Sequence, residues 1–362
     1  MFLALREFKH ARLRYALVTG VIAMVASLVF ILSGLANGLA SGNSEAIEAI
    51  DADGFVVAAG SEYLLDRSRL SEDVVAAVQD ADGIDEAEPM VAMVGNVRSG
   101  DSDEVIGVSI LAVTPDTFLD PGVNSGDSLA NSPDGIVIDQ SLANEGVEVG
   151  DTLVFDPSGL ELEVVGITRN HQYRLAPTLF VNLDKVAEIS PETNGAVNAI
   201  VVRGDREAID ALPEGIDGIM IGSETDMIES LPGYQEQALT LNLIQVFLIV
   251  IAAGIIAAFF FILTLQKMGE LGVMKALGAT TFELAKALIF QAIFLGTIGV
   301  LFGIAAGCVM IFLAEGVVPY KVQWEQMVLY GTLILAVAVV GTLLSLFRIA
   351  RVDPLDAINK AG

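Results

Sequence analysis

Four long runs without a charged residue constrain the fold of this 362-residue chain more than any other feature. A helix needs about 20 mostly apolar residues to cross a hydrocarbon core of roughly 30 Å. Each run is long enough, and the 53% share of hydrophobic residues suits a membrane protein. The sequence therefore predicts four transmembrane helices, at residues 16–40, 239–265, 287–314 and 326–347.

The acidic residues are concentrated between the first and second runs. Residues 41–237 contain 39 acidic and 8 basic side chains, and the rest of the chain contains 7 acidic and 11 basic ones. The net charge of −27 thus divides into −31 for this segment and +4 for the remainder. This division predicts a solvated acidic domain beside a mildly basic membrane domain. It excludes nucleic acid as a partner, because the acidic domain would repel phosphates.

Lysine and arginine near membrane ends mark the cytoplasmic side. They are frequent in the tail before the first run, in the connector 266–286 and in the tail 348–362, whereas the short loop 315–325 has only Lys321. We therefore expect a multi-pass plasma-membrane protein with both termini in the cytoplasm and residues 41–237 outside.

The first 15 residues have an amphipathic pattern that predicts a helix lying in the inner membrane interface. A merely basic tail is the alternative. A cleaved signal peptide is disfavoured, because the 25 uncharged residues that follow exceed the usual signal core.

Residues 41–237 have the short, β-branched stretches and turn residues of a mixed α/β domain. Helices are predicted at residues 71–80, 184–189 and 207–212. The fold class is therefore four transmembrane helices, arranged as one plus three, with a large mixed α/β extracytoplasmic domain between the first and second. Strands are predicted at residues 55–59, 105–113, 136–138, 153–155, 160–167, 178–181 and 200–202.

The sequence lacks the residues of an enzyme active site. The two histidines, His10 and His171, are predicted to lie on opposite sides of the membrane, and no metal-ligand spacing is present. The lone Cys308 forms no internal disulfide. No G-x-x-x-x-G-K-[ST] phosphate loop occurs, so an ATP-driven role requires a partner that binds ATP.

The connector between the second and third runs contains ELGVMKALGAT at residues 270–280. In a helix Leu271, Met274 and Leu277 would line one face, which suits a groove on a partner protein. Glu270 and Lys275 would offer charged contacts at the edge of that face. Gly278 would end the helix. A simple connector that packs on the spans is the alternative.

This connector motif resembles that of ABC permeases of the FtsX-like/MacB type. ARVDPLDAI at residues 350–358 is similar to the family's C-terminal ending, and residues 149–167 are similar to a β segment of its outside domain. The resemblance implies a homodimeric permease, with two copies of a separate ATPase subunit that binds ATP and Mg²⁺. It also implies mechanotransmission, in which ATP-driven closure of the ATPases rearranges the outside domains through stiff first and second helices.

The stretches FLALREFKHARLRYALVTG and AIDADGFVVA resemble the haem-efflux permeases of this family, which implies haem as the transported ligand. Tyr234 is also a candidate interfacial anchor and Met227 a packing residue. Gly34, Gly38 and Gly42 recur every four residues, which on a helix predicts a flat stripe for close helix packing or for a planar ligand. The candidate haem contacts near the outer ends of the first two spans and in the outside domain are Phe30, Asn37, Glu45, Glu48, Tyr173, Arg174, Met227, Tyr234 and Asn242.

Two other functions fit the same architecture. One is export of a different amphiphile, such as an antimicrobial peptide, a lipid or a lipoprotein. The other is a regulator of a wall hydrolase of the cell-division type, which transports nothing. The 197-residue outside domain argues against the regulator, because such proteins typically have a smaller one.

Overall fold

The computed structural model describes residues 12–100, 104–193, 195–314 and 320–350. The chain divides into two compact units, which we call the helical unit (residues 1–38 and 239–362) and the α/β unit (residues 39–238). The interfacial helix predicted before residue 12, most of the C-terminal tail and residues 315–319 of the short loop lie outside the described residues.

Among the described residues, four helices are long and apolar enough to cross a membrane, and they lie in α1, α7, α9 and α10. The helices are α1 (Arg12–Glu48), α2 (Glu72–Gln79), α3 (Gln140–Ala143), α4 (Val186–Ile189), α5 (Arg206–Gly215), α6 (Glu224–Glu229), α7 (Tyr234–Gln266), α8 (Met268–Ala276), α9 (Thr281–Ala314) and α10 (Trp324–Ala350). The strands are β1 (Gly54–Ala58), β2 (Ile84–Ser99), β3 (Val105–Val113), β4 (Ser125–Gly126), β5 (Ile136–Asp139), β6 (Thr152–Asp156), β7 (Glu161–Thr168), β8 (Thr178–Asn182), β9 (Ala199–Gly204) and β10 (Ile219–Gly222). One long helix before a mixed α/β unit and three after it confirm the predicted fold class.

Small residues let the long helices of the helical unit approach closely. A Cβ added to Gly303 of α9 would lie 2.6 Å from the Cβ of Ala26 on α1. One added to Gly341 of α10 would lie 2.7 Å from the Cα of Ala257 on α7. Because lipid is as apolar as these side chains, close backbone packing replaces the hydrophobic effect as the source of helix association. Substitution of either glycine by a larger residue would separate the helices.

The α/β unit is built on a ten-stranded sheet in the order β10-β1-β9-β2-β3-β8-β5-β7-β4, with β6 pairing with β2 and β7. Most neighbours are antiparallel, but β3–β8 and β5–β7 are parallel. Successive residues of β1 alternate between two apolar clusters, with Phe55 and Val57 in one and Val56 in the other. This alternation follows from the two-residue period of a strand and shows that both faces of the sheet are covered.

Strand β2 is long because it pairs with different strands along its length. Residues 84–90 pair with β9, and residues 96–99 pair with β6. Asn198, just before β9, makes a hydrogen bond to the part of β2 that lies between these two paired segments. Its side chain accepts from the Ala92 N–H and donates to the carbonyls of Leu65 and Ser68 at 2.8–3.1 Å. The amide thus satisfies backbone groups that the sheet leaves unpaired, as buried polar groups require.

Asp120 gives the α/β unit a pH-dependent contribution to stability. Burial raises the pKa of this carboxyl above its usual value of 3.8, and N–H donation from Asp116 and Ala130 only partly offsets that effect. The folded state therefore holds the proton more tightly than the unfolded state. Its stabilising contribution is present below pH 3.8 and is lost as the pH rises through the raised pKa.

Asp120→Asn should therefore raise the unfolding temperature of the α/β unit at pH 7.5 and change it little below pH 3.8. Thermal unfolding of the full chain in detergent at the two pH values measures this. Asp127→Asn, at an exposed carboxyl of the same region, is the control. A lower unfolding temperature for Asp120→Asn at pH 7.5 would show that the ionised form is stabilising.

Candidate functional sites

Three predicted haem contacts lie in the helical unit, and they differ in exposure. The Phe30 side chain has 0% exposure and packs in the core of the long helices. Asn37 is buried, and its amide donates to Gln326 Oε1 on α10 at 2.9 Å. Asn242 is exposed on α7. Of these three, only Asn242 presents its side chain to a ligand in this structure, whereas Phe30 and Asn37 hold helices together.

Three more of the predicted contacts meet at one cleft of the α/β unit. Tyr173, Arg174 and Met227 line it together with Asp66 and Ile47, and it has room for about one water molecule. A porphyrin is many times larger than this space. The cleft in this form therefore does not enclose haem.

The chemistry of this cleft also disfavours a role in ligating iron or propionates. Tyr173 is only 3% exposed, and burial raises the pKa of its phenol well above the usual range, so it stays neutral. The guanidinium of Arg174 lies 2.7 Å from an Asp66 carboxylate, which balances its charge. Met227 is buried in the core beneath the cleft. These side chains stabilise the fold in the form described.

The remaining predicted contacts of the α/β unit have accessible surface. Glu48 is exposed and accepts a hydrogen bond of 2.5 Å from the Ser44 hydroxyl, while Glu45 is half-buried. Tyr234, at the start of α7, packs partly against the same core as Met227 and is also half-buried. Carboxylate and phenol oxygens thus remain accessible near the end of α1 and the start of α7.

A loop of the α/β unit is hydrogen-bonded to the end of α1. This contact was not predicted from the sequence. Residues 172–175, which we call the collar, make three backbone hydrogen bonds to α1. The N–H groups of Leu175 and Arg174 donate to the carbonyls of Gly42 and Asn43, and the Ala46 N–H donates to the Gln172 carbonyl, all at 2.9–3.1 Å. Helix carbonyls normally accept only from the next turn of their own helix. The collar therefore fixes this part of α1 to the sheet that carries β8.

Two features of the sequence make the collar possible. Arg174 and Leu175 both have positive φ, at 58° and 54°, which is uncommon for residues other than glycine. Gly42 leaves the room: a Cβ there would lie 2.7 Å from the Gln172 side-chain oxygen and 2.9 Å from a Leu175 methyl group. Gly42 was interpreted as part of a helix-packing stripe, and in the structure it admits the collar.

The connector forms a short helix, α8, and Gly278 follows it with φ 99°. The single apolar face predicted for this helix is partly buried and partly exposed. Leu271 is buried against Leu284 and Leu288 of α9, and Met274 packs on the same cluster. The prediction that Leu271 faces a partner is therefore wrong for this structure, because the nine-residue helix folds back onto the start of α9.

A different apolar surface of the connector is exposed. Leu277 is 83% exposed, Phe282 is 78% exposed, and Val273 is also exposed. We call these three side chains the connector patch. Glu270 of the same helix is exposed as well, and Lys275 is half-buried. The connector patch is the apolar surface that this loop can present to a partner protein.

Two family models match most of the chain. Residues 16–218 match the model described as the MacB-like periplasmic core domain, and residues 242–354 match the FtsX-like permease C-terminal model. The first match covers more than half of the chain, and together they cover both units.

Several proteins are similar to this chain over their full length. A Staphylococcus epidermidis protein, provisionally named hemin transport system permease protein HrtB, is 27% identical over 99% of both chains. The Staphylococcus haemolyticus protein of the same name is 26% identical over 99% of both chains. An uncharacterized ABC transporter permease of Mycobacterium bovis is 22% identical over 98% of both. Among solved structures, the periplasmic region of MacB from Actinobacillus actinomycetemcomitans is 14% identical and covers 51% of this chain and 95% of that one, with a TM-score of 0.39.

Proposed function

Since the chain belongs to the FtsX/MacB-type ABC transporter permeases, we propose that it is the membrane subunit of an ATP-driven pump that exports haem. It is a multi-pass membrane protein with four spans and an extracytoplasmic domain between the first and second. Permeases of this type rely on separate ATPase subunits, and the sequence contains no phosphate loop. In the proposal, two copies of the chain and two ATPases form the pump in the plasma membrane, with both termini in the cytoplasm.

We propose haem as the substrate because the chain is similar over its full length to permeases named for hemin transport. At 27% identity this similarity supports the substrate class without assigning the contacts. The contacts must therefore come from the chemistry of the accessible candidates.

We assign the haem contacts first to Glu45, Glu48 and Tyr234 of the α/β unit, because each has surface that a ligand can reach. Tyrosine is an established axial ligand of haem iron, and carboxylate oxygens also bind hard cations. The negative charge of this region favours contact with the iron face and disfavours the propionates. Phe30, Asn37, Tyr173, Arg174 and Met227 would take part only if the conformation that binds haem differs from this one.

The connector patch is the proposed docking surface for the ATPase. Its apolar side chains suit a groove on a soluble subunit, and Glu270 and Lys275 of the same helix offer charged contacts at its edge. ATP-driven closure of the ATPases would move α7 and α9 through this contact. Mechanotransmission then delivers the motion to the α/β unit.

Growth of a deletion strain in a haemin series tests the proposed substrate. We expect loss of the gene to lower the haemin concentration that the cells tolerate, and the wild-type gene to restore it. The Tyr234→Ala gene should restore tolerance less well, and Tyr63→Ala, at a second half-buried tyrosine of the α/β unit, is the matched control. Unchanged haemin tolerance, together with new sensitivity to a cationic antimicrobial peptide, would contradict haem and support another amphiphile.

A further inference from the structure

An open apolar groove of about 640 Å³ runs between α1 and α9 in the helical unit. Its length on α1, from Tyr15 to Ser27, corresponds to about 18 Å of helix. That is close to the roughly 15 Å depth of one leaflet of the hydrocarbon core. Small residues of α1 form one wall and aromatic residues of α9 form the other, namely Ala16, Gly20, Ala23, Ser27, Phe294 and Phe302.

Polar groups lie at the end of this groove that is nearest the connector. Lys267 is only 5% exposed, and its ammonium donates to Gln291 Oε1 at 3.0 Å and lies 5.5 Å from the centre of the Tyr15 ring. Tyr15 lines the groove, and Gln291 lies one turn before Leu295, which also lines it. The ammonium and the amide are therefore adjacent to the groove.

The Gln291 amide has a buried donor that lacks an acceptor in the part of the chain that the structure describes. Its oxygen accepts from Lys267, but its buried Nε2 has no hydrogen-bond partner among the described residues. A buried donor without an acceptor is unfavourable. An acceptor oxygen placed beside Lys267 and Gln291 would satisfy this N–H.

The sequence just before Tyr15, which lines the groove at the end nearest the connector, is basic. Arg12 and Arg14 precede Tyr15 at the start of α1, and the first turn of that helix contains no acidic residue. The Lys267 ammonium beside an apolar groove of one-leaflet length is complementary to a lipid with a negatively charged headgroup. Neutral lipids would match the groove but not its charged end.

We propose that this groove binds an anionic phospholipid, with an acyl chain between α1 and α9 and phosphate oxygens at Lys267 and Gln291. The bound lipid would tie α1, α9 and the start of the connector together at one end of the spans. The site is separate from the haem contacts and from the connector patch. The lipid proposal would therefore be unaffected if haem were not the exported ligand.

Native mass spectrometry of the full-length chain tests the site. The protein in detergent is mixed with equal amounts of phosphatidylglycerol and phosphatidylcholine. We expect about fivefold more bound phosphatidylglycerol, the preference that one lysine near an anionic headgroup supplies. Lys267→Met should abolish the preference. Lys286→Met, which removes the same charge at an exposed position of α9, should keep it.

A second pair of variants tests the groove without altering its charge. A Cβ added at Gly20 meets no atom within 4 Å, so Gly20→Leu places its side chain in the groove without a clash at the backbone. It should reduce the amount of bound phosphatidylglycerol, and Gly254→Leu, at an equally open position of α7, should not. Equal binding of the two lipids, or binding unchanged in Gly20→Leu, would mean surface lipid only and overturn the proposal. So would a change in oligomeric mass in Gly20→Leu with lipid binding unchanged, because a second copy would then occupy the groove.

Discussion

Replacing Gly42 by valine is expected to detach the collar from α1 and to reduce haem export at least tenfold. The β-carbon would meet the ends of the Gln172 and Leu175 side chains, which can turn aside. The two γ-methyl groups of valine need further room in the same place, and overpacking of this kind costs about 1–3 kcal/mol. Loss of the three backbone hydrogen bonds would cost about 1 kcal/mol each. The α/β unit would then no longer follow the end of the first span helix. In the proposed mechanism, the transmission of motion to the α/β unit depends on that attachment.

Hydrogen exchange of the full chain measures this detachment directly. A local loss of about 3 kcal/mol corresponds to a roughly 100-fold increase in opening, so the amides of Arg174 and Leu175 should exchange much faster in Gly42→Val. Gly215→Val is the control, because a Cβ added at that helical glycine meets no atom within 4 Å. Protected collar amides in Gly42→Val would show that the substitution does not detach the collar. Full export despite lost protection would show that the collar does not transmit the motion.

Placing a charge on the connector patch should have the other large effect. Leu277→Asp puts a carboxylate at a side chain that is 83% exposed, so the fold of the chain should tolerate it. A docked ATPase would bury that carboxylate, and an unpaired buried charge costs several kcal/mol. We expect the affinity for the ATPase to fall at least tenfold, while haem binding by the purified permease stays unchanged.

Co-purification of the ATPase with the permease is the measurement for this prediction. Gly269→Asp adds the same charge at an exposed, open position at the other end of the connector helix and should keep the ATPase bound. Equal recovery of the ATPase with Leu277→Asp and wild type would move the docking surface elsewhere on the chain. Leu271→Asp would be uninformative, because Leu271 is buried against α9.

The membrane architecture was predictable because absence of charge over 20 or more residues has few explanations other than a span. The face of each span that packs on other helices was not predictable. Phe30 was interpreted as a ligand contact and is buried in the helix core. An apolar helix in lipid has apolar residues on all sides, so its sequence does not distinguish the face that packs on other helices from the face that contacts lipid.

The sheet shows a second limit of sequence reasoning. Seven strands were predicted and ten are present in the described part of the chain, and the longest, β2, was missed. Its sequence contains Pro89, Gly95 and several acidic residues, all of which are uncommon in strands. It forms nevertheless because it pairs with β9, β3 and β6 in turn, and these contacts come from distant parts of the chain.

The collar was unpredictable for a related reason. Its hydrogen bonds join backbone groups about 130 residues apart, and backbone groups carry no sequence signal. Only Gly42 indicated that another segment approaches α1 there. The connector was predicted more successfully: it is a helix followed by Gly278 in a left-handed conformation. The face that packs on α9 depended on the position of Leu284 and Leu288 in the fold.

Haemin titration of the purified full-length permease tests the central proposal most directly. We predict a saturable shift of the haem Soret band. Binding should weaken in Tyr234→Ala and remain unchanged in Leu277→Asp. A titration that is indistinguishable from haemin in detergent alone would contradict the assignment of haem as the exported ligand.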